Sequence, residues 1–196
     1  MNKYTTTLTA FFAILTVVVF STVFGKAQTV DRDAAQQLYS DGNYKEAYEA
    51  FRRRCLDSRT DLREVVQDLA SGVAALQQLG QIKDADDLIE QTIKAHLKNW
   101  QLLVKAAEQY ESIAPHCFII AGDFERGPPR GGGKQVYSMD RDRVRALQLM
   151  TDAMKIAEAE GEANEVAQFY LQFARMLLSS RGSYQAWRLQ SLTNID

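Results

Sequence analysis

Apolar residues recur along this chain at the spacing of α-helices. In residues 42–55, GNYKEAYEAFRRRC, the side chains of Tyr44, Ala47, Tyr48, Phe51 and Cys55 fall on one side of a helix, with charged residues opposite. Comparable stripes occupy residues 62–79, 85–97, 100–110, 144–157 and 166–177. Only the segment CFII, residues 117–120, is compatible with a short strand or a buried turn. The pattern predicts an all-α domain.

Two of these helices follow a turn with the same pattern of residues. A glycine, a large apolar residue, an alanine and a second large apolar residue recur with a constant offset of 38, as from Gly42 to Gly80. The first set is Gly42, Tyr44, Ala47 and Phe51, and the second is Gly80, Ile82, Ala85 and Ile89. Glycine suits a turn that needs positive φ, and a small alanine lets one helix approach another closely. The spacing therefore predicts repeated helical hairpins.

This spacing resembles the second half of a tetratricopeptide repeat. Trp100, together with Leu103, is a candidate start for a third unit. The chain departs from the family in its period, which exceeds the usual ~34 residues, in Arg54 where a small residue is usual, and in lacking the closing proline. The resemblance implies a short α-solenoid over residues 31–196, interrupted by a loop insertion at 125–139. Such an array offers a concave face to protein partners or braces neighbouring domains, and both alternatives stay open.

Composition and charge narrow the function classes. The 196 residues suffice for one domain of ordinary size, and the 46% of hydrophobic residues suffice for a core. With a net charge of −2 the chain has no overall basic field, so we expect neither nucleic acid nor an anionic membrane surface as a partner.

The first residues have the pattern of a targeting segment. Lys3 precedes the uncharged apolar run from Leu8 to Phe24, and small residues such as Gly25 and Ala27 suit a cleavage site. We interpret residues 1–27 as a secretory signal peptide, with an uncleaved membrane anchor as the alternative. Both place the domain outside the cytoplasm, in the periplasm, the cell envelope or the medium. A membrane contact is expected only if the leader is retained.

The two cysteines, Cys55 and Cys117, lack the spacing of a zinc site. In an oxidising compartment they are candidates for one disulfide, and two buried thiols are the alternative. His116 is next to Cys117, but neighbours in sequence usually diverge, and no third group is evident to orient the imidazole. We therefore predict no catalytic pair, no metal site and no cofactor.

The segment GPPRGGGKQ, residues 127–135, invites comparison with a nucleotide-binding loop. That motif needs a glycine where this chain has Pro128 and a hydroxyl where it has Gln135. It also needs a parallel sheet, which the pattern does not predict. We interpret the segment as a basic surface loop in which Arg126, Arg130 and Lys134 are solvated. Anion or partner binding by these three residues is the alternative.

A charged helix is predicted to follow the loop, in SMDRDRVRALQLM from Ser138. Ser138 or Asp140 is a candidate N-cap, and the aspartates near the helix start favour its dipole. The mixed charges of residues 141–145 are typical of a solvated helix face.

Several segments together suggest a larger family. The exported leader, DGNYKEAYEAFRRRCLD, KNWQLL, FIIAGDFERGPPRGGGKQVYSMDRDRVRALQLM and EVAQFYLQFARMLLSSRGSYQAWRLQSLTNI resemble the amino-terminal region of bacterial alpha-2-macroglobulin-like proteins of planctomycete type. The most specific parts are RGGGK at 130–134, RDRVRALQLM at 141–150 and AWRLQSLT at 186–193.

The resemblance implies that this chain is related to proteins that trap proteases, but the chain does not contain the motifs by which they do so. Members of that family carry β domains, a bait region and usually a thioester within C-x-E-Q. Here LDS follows Cys55 and FII follows Cys117, so neither cysteine matches that motif. The resemblance leaves open a truncated reading frame, a separately encoded piece or a fragment of a longer product.

Two function classes follow from the sequence. The favoured one is a non-catalytic, exported helical-repeat module for protein contact or scaffolding, with macroglobulin-like domains as candidate partners. The other is an enzyme that binds an anion or nucleotide with residues 126–134. A membrane-tethered spacer is a third alternative, which depends on the leader.

Overall fold

The computed structural model describes residues 31–128 and 132–179, and helix dominates this part of the chain. The predicted helical class is confirmed in outline. The predicted leader, residues 1–27, lies outside the described residues, as does the end of the predicted domain. The described helices are α1 (Arg32–Ser40), α2 (Tyr44–Leu56), α3 (Leu62–Gln78), α4 (Ala85–Ala95), α5 (Trp100–Ser112), α6 (Met139–Glu160) and α7 (Ala163–Leu178), with a 3-10 turn at Ile82–Asp84.

Three helices begin at short polar residues that accept hydrogen bonds from the first turn. The Asp31 side chain accepts from the backbone N–H of Asp33, at the start of α1. Asp61 does the same at the start of α3, and Asn99 at the start of α5. These side chains satisfy N–H groups that have no partner within the helix, and so they fix where each helix starts.

The two glycine turns have the same geometry. Gly42 has φ +81° and Gly80 has φ +64°. In both turns the glycine N–H bonds the carbonyl three residues back and the next N–H bonds the carbonyl five residues back, at 2.9 to 3.1 Å. This double hydrogen bond is the Schellman arrangement, which needs a residue in the left-handed region.

The other residues of the two patterns are also equivalent in burial. Ala47 and Ala85 are fully buried, and so are Phe51 and Ile89. Tyr44 and Ile82 are half-buried. Residues 38 positions apart therefore occupy similar environments in two successive helical pairs.

The core is continuous across most of the described helices. The main apolar cluster joins residues of α3, α4, α5, α6 and α7, and a smaller cluster around Phe51 holds α1 on α2. Contacts also join alternate helices, α2 with α4 and α3 with α5. Trp100 is half-buried at the edge of the main cluster, with its ring 6.0 Å from that of Phe169 in an edge-on arrangement.

A small antiparallel sheet lies between α5 and α6. Its strands are β1 (His116–Ile120), β2 (Asp123–Arg126) and β3 (Lys134–Tyr137), in the order β2-β1-β3. The all-α prediction is therefore incomplete, and the segment 125–139 is not a loop throughout, because two of its parts are strands. CFII belongs to the central strand, which was one of its two predicted alternatives. Strands of four or five residues are too short for alternation to be recognised against the helical pattern.

Candidate functional site

A charged cleft opens where the sheet meets the helices. It has a volume of about 440 Å³ and is formed by the 3-10 turn, α4, β2 and the start of α6. Three carboxylates and three cationic groups surround one aromatic ring. The lining residues are Lys83, Asp86, Asp87, Glu90, Phe124, Arg126 and Arg141.

Arg126 forms the inner wall of the cleft, and its side chain is only 1% exposed. Its Nε donates to Asp86 Oδ1 at 2.6 Å. Its Nη1 donates to Asp142 Oδ2 at 2.9 Å, and its Nη2 donates to the other oxygen of the same carboxylate. Burial opposes the charge on Arg126, but these hydrogen bonds outweigh it and raise its pKa.

The prediction that Arg126 is solvated is therefore wrong. On β2 it pairs directly with Cys117 of β1, which is fully buried, so both side chains point towards the helices. A fork of N–H donors suits two carboxylates better than a lysine would. Arg126 thus ties β2 to α4 through Asp86 and to α6 through Asp142.

Asp142 receives further hydrogen bonds at the start of α6. Ser138 Oγ donates to Asp142 Oδ2 at 2.6 Å and accepts from Arg126 Nη1 at 3.1 Å. Ser138 occupies the N-cap position, but its side chain makes no cap hydrogen bond. The predicted solvated face at 141–145 is wrong for Asp142 and Arg143, which are buried.

Arg141 and Phe124 form the outer wall. The Cζ of Arg141 lies 4.4 Å from the centre of the Phe124 ring, within the range of a cation–π contact. The guanidinium also pairs with Asp86 at 2.8 Å, and its side chain is 49% exposed. This wall therefore presents a positive charge to solvent above an aromatic ring.

Glu90 forms the floor together with two neighbours. Arg145 donates to both of its carboxylate oxygens, at 2.7 and 2.6 Å, and the Tyr110 hydroxyl donates at 2.8 Å. Burial opposes ionisation of Glu90, but the bonds from Arg145 and Tyr110 prevail and lower its pKa. Burial and the charges of Asp86 and Glu90 raise the pKa of Tyr110, which stays a neutral donor.

The cleft therefore contains an internally balanced set of charges. Within residues 31–128 and 132–179, every buried side-chain nitrogen or oxygen has a hydrogen-bond partner. The same residues contain no group of His, Cys, Asp and Glu that is suited to a metal ion. Chemically, the arrangement can fix the sheet on the helices and offer ion pairs at its rim.

The structure does not bring the three predicted loop cations together. Arg126 is on β2 and Lys134 is on β3, on opposite sides of β1, and Arg130 lies outside the described residues. Lys134 is exposed and opens an antiparallel strand, whereas the lysine of a nucleotide-binding loop lies at the start of a helix after a parallel strand. An anion site shared by these cations is therefore not supported.

Cys55 and Cys117 are free thiols, and both are fully buried. Burial raises the pKa of Cys55 to about 12, which makes it an inert thiol. His116 is exposed at the start of β1, where its ring lies 5.4 Å from that of Tyr137. The structure thus has two separate buried thiols where the sequence also permitted a disulfide.

Four residues of the cleft, Asp86, Glu90, Tyr110 and Phe124, were not predicted as site residues. Asp86 and Glu90 lie in ADDLIEQ, residues 85–91. In this sequence pattern the carboxylates are typical of the solvated face of a helix. Their partners are far along the chain, at separations of 40 residues for Asp86 and 55 for Glu90. A single sequence carries no signal for such pairs.

Comparison of the chain with known protein families, curated proteins and solved structures finds no match. None of the described helices combines the length and the apolar character that crossing a membrane requires.

Proposed function

We propose that this protein is a non-catalytic helical-repeat module that binds or braces another protein. The observation that carries the proposal is that the buried charges of the cleft are engaged in internal ion pairs. Arg126 and Asp142 are each about 1% exposed and bond each other, so neither is free to act on a substrate. Groups used in this way hold elements together, which is the role expected of a scaffold.

The repeated turns support the same proposal. Gly42 joins α1 to α2 and Gly80 joins α3 to α4 with equivalent hydrogen bonds, and alternate helices touch as they do in stacked hairpins. We infer that these pairs begin a short tetratricopeptide-like solenoid, with the sheet as an insertion before α6. Stacked hairpins of this kind commonly present extended surfaces to protein partners.

We assign the rim of the cleft as the contact surface. Lys83 and Asp87 are exposed, and Arg141 is half-exposed over Phe124. Charges at a rim steer association and add specificity, whereas an aromatic ring beneath them supplies contact area. From the sequence resemblance, we propose macroglobulin-like domains as partners and an exported location for the complex.

Lysine-directed cross-linking in cells that produce the tagged full chain tests this assignment. We expect links to a partner from Lys83 at the rim, and not from Lys155, whose side chain is 70% exposed on α6. Lys83→Glu should weaken capture of that partner several-fold, because a rim charge is reversed.

Lys155→Glu is the matched control, since it makes the same change at another exposed lysine. Equal capture by both variants would show that the rim is not the contact surface. If neither variant nor the unmodified chain captures any partner, the module proposal itself is wrong.

A further inference from the structure

The last described helix, α7, has two apolar stripes instead of one. The first stripe faces the core and contains Phe169 and Met176, which are 2% and 6% exposed. The second stripe lies about a third of a turn or more away on the helix and is exposed along its length. Its members are Ala167, Tyr170, Leu171, Ala174, Leu177 and Leu178.

The exposure of the second stripe is large for apolar side chains. Tyr170 is 41% exposed, Leu171 45% and Leu178 81%. By contrast, α3 buries five apolar side chains, and it lies between other helices on both sides. An apolar stripe that runs the length of a helix is the usual mark of a covered surface.

Two side chains, those of Arg143 and Gln172, fix α7 in this orientation. Arg143 Nη1 donates to the carbonyl of Met176 at 3.2 Å, and its Nη2 donates to the carbonyl of Leu177 at 3.3 Å. These bonds satisfy carbonyls that the helix end leaves without partners. Gln172 also donates to Glu108 of α5. The second stripe is therefore held facing away from the core.

We propose that residues 182–196 of this same chain bind the second stripe of α7. The segment GSYQAWRLQSLTNID begins only a few residues after α7 ends. Tyr184, Trp187, Leu192 and Ile195 have the spacing of one side of a helix. Gly182 and Tyr184 repeat the glycine and tyrosine that open α2 at Gly42 and Tyr44.

The length of residues 182–196 and their effective concentration near α7 both favour this segment as the group that binds the second stripe. At ~1.5 Å per residue a helix of this segment would extend about 22 Å, and the stripe from Ala167 to Leu178 extends about 17 Å. A short tether gives the segment an effective concentration of about a millimolar at the stripe. A second copy of the chain would have to displace it from that surface.

Hydrogen exchange of the full chain, resolved by peptide, tests the proposal. We expect residues 184–195 to be protected, and their protection to fall at least about tenfold in Leu171→Glu, because a charge would replace buried apolar area. Gln168→Glu is the matched control, because it introduces the same glutamate at an exposed position on the polar face of α7. Protection in this control should not change.

Leu178→Glu is a second test, which controls for the possibility that Leu171→Glu unfolds α7. Because Leu178 is 81% exposed, its replacement does not disturb the core, and it should lower the protection of residues 184–195 in the same way. Unchanged protection in both leucine variants would overturn the proposal. Protection that rises with protein concentration, together with a dimer mass in light scattering, would overturn it in favour of a second copy.

Discussion

The helical pairs α1–α4 and the sheet with the start of α6 are held by different forces. The helical pairs enclose apolar side chains such as Phe51, Leu69 and Ile89, all fully buried. The sheet region is joined to the helices by buried ion pairs between Arg126 and two carboxylates. Non-directional packing leaves a pattern in the sequence, whereas a directional ion pair leaves none.

Each region contains a buried aspartate, and the two can be compared directly. Asp68 of α3 is fully buried and accepts from Arg32 at 3.0 Å and from Arg54 at 2.7 Å. Asp142 of α6 is 1% exposed and accepts from Arg126 and Arg141. Asp68 joins helices that apolar packing already joins. Asp142 joins α6 to strand β2 through Arg126, so its pairs specify where the sheet lies.

The largest expected effect is the loss of Arg126. Arg126→Met should lower the free energy of unfolding by about 3 to 5 kcal/mol, because it leaves buried carboxylates with too few donors. Arg54→Met should lower it less, since Asp68 keeps Arg32 and its apolar surroundings. Urea denaturation of the three proteins measures both differences.

The double variant Arg126→Met with Asp142→Leu separates two contributions to the lost free energy of unfolding. One is the cost of a buried carboxylate without its partner, and the other is the lost packing of the Arg126 side chain. Removing both charged groups should recover most of the lost free energy, because position 142 then no longer holds a buried carboxylate that lacks its Arg126 partner. If the double variant is no more stable than Arg126→Met, the loss comes from other contacts of Arg126, such as its bond to Asp86, and not from the buried Asp142 carboxylate.

A smaller effect is expected at the glycine turns. Gly42→Ala and Gly80→Ala should each lower the free energy of unfolding by about 1 to 2 kcal/mol, because alanine resists a positive φ. No atom lies within 4 Å of the added Cβ at either position, so crowding plays no part. Gly132→Ala, in the glycine-rich connection, also has open space and needs no positive φ, and it should be neutral.

Thermal melts of these three variants check the prediction. A similar loss at Gly42 and Gly80 would support equivalent turns. A loss at Gly132 as large as at Gly80 would contradict the distinction between the two regions.

The last expected effect is absent at neutral pH and consists of a loss of stability of the helical pairs at alkaline pH. Because the pKa of Cys55 is raised from 9.0 to about 12, the folded protein holds this proton more tightly than the unfolded chain. The contribution is fully present below pH 9 and is lost as the pH rises from 9 towards about 12.

Cys55→Ala isolates this contribution from that of Tyr110, whose pKa is also raised. We expect its stability to fall less steeply above pH 9 than that of the unmodified protein, as measured by urea denaturation. Parallel pH profiles would show that Cys55 ionises without unfolding.

The helical part of the fold could be predicted because helices and their turns depend on residues that are close together in the sequence. Helical spacing identified the stripes around Phe51 and Ile89, and glycine chemistry identified the turns at Gly42 and Gly80. Of the sheet, only CFII in β1 was predicted as a possible strand, since β2 and β3 are short and contain charged residues such as Asp123 and Lys134. The cleft was not predicted because Arg126 and Asp86 are 40 residues apart in the sequence and come together only in the folded chain.

The order of the strands determines when the sheet can form during synthesis of the chain. The central strand, β1, is the first of the three to leave the ribosome, and its two neighbours follow it. The sheet is complete only after Tyr137 has been synthesised, and Arg126 meets Asp142 only once the first turn of α6 is available. The helical pairs made earlier, with contacts between near neighbours in sequence, need not wait. Vectorial synthesis therefore separates the two regions in time as well as in space.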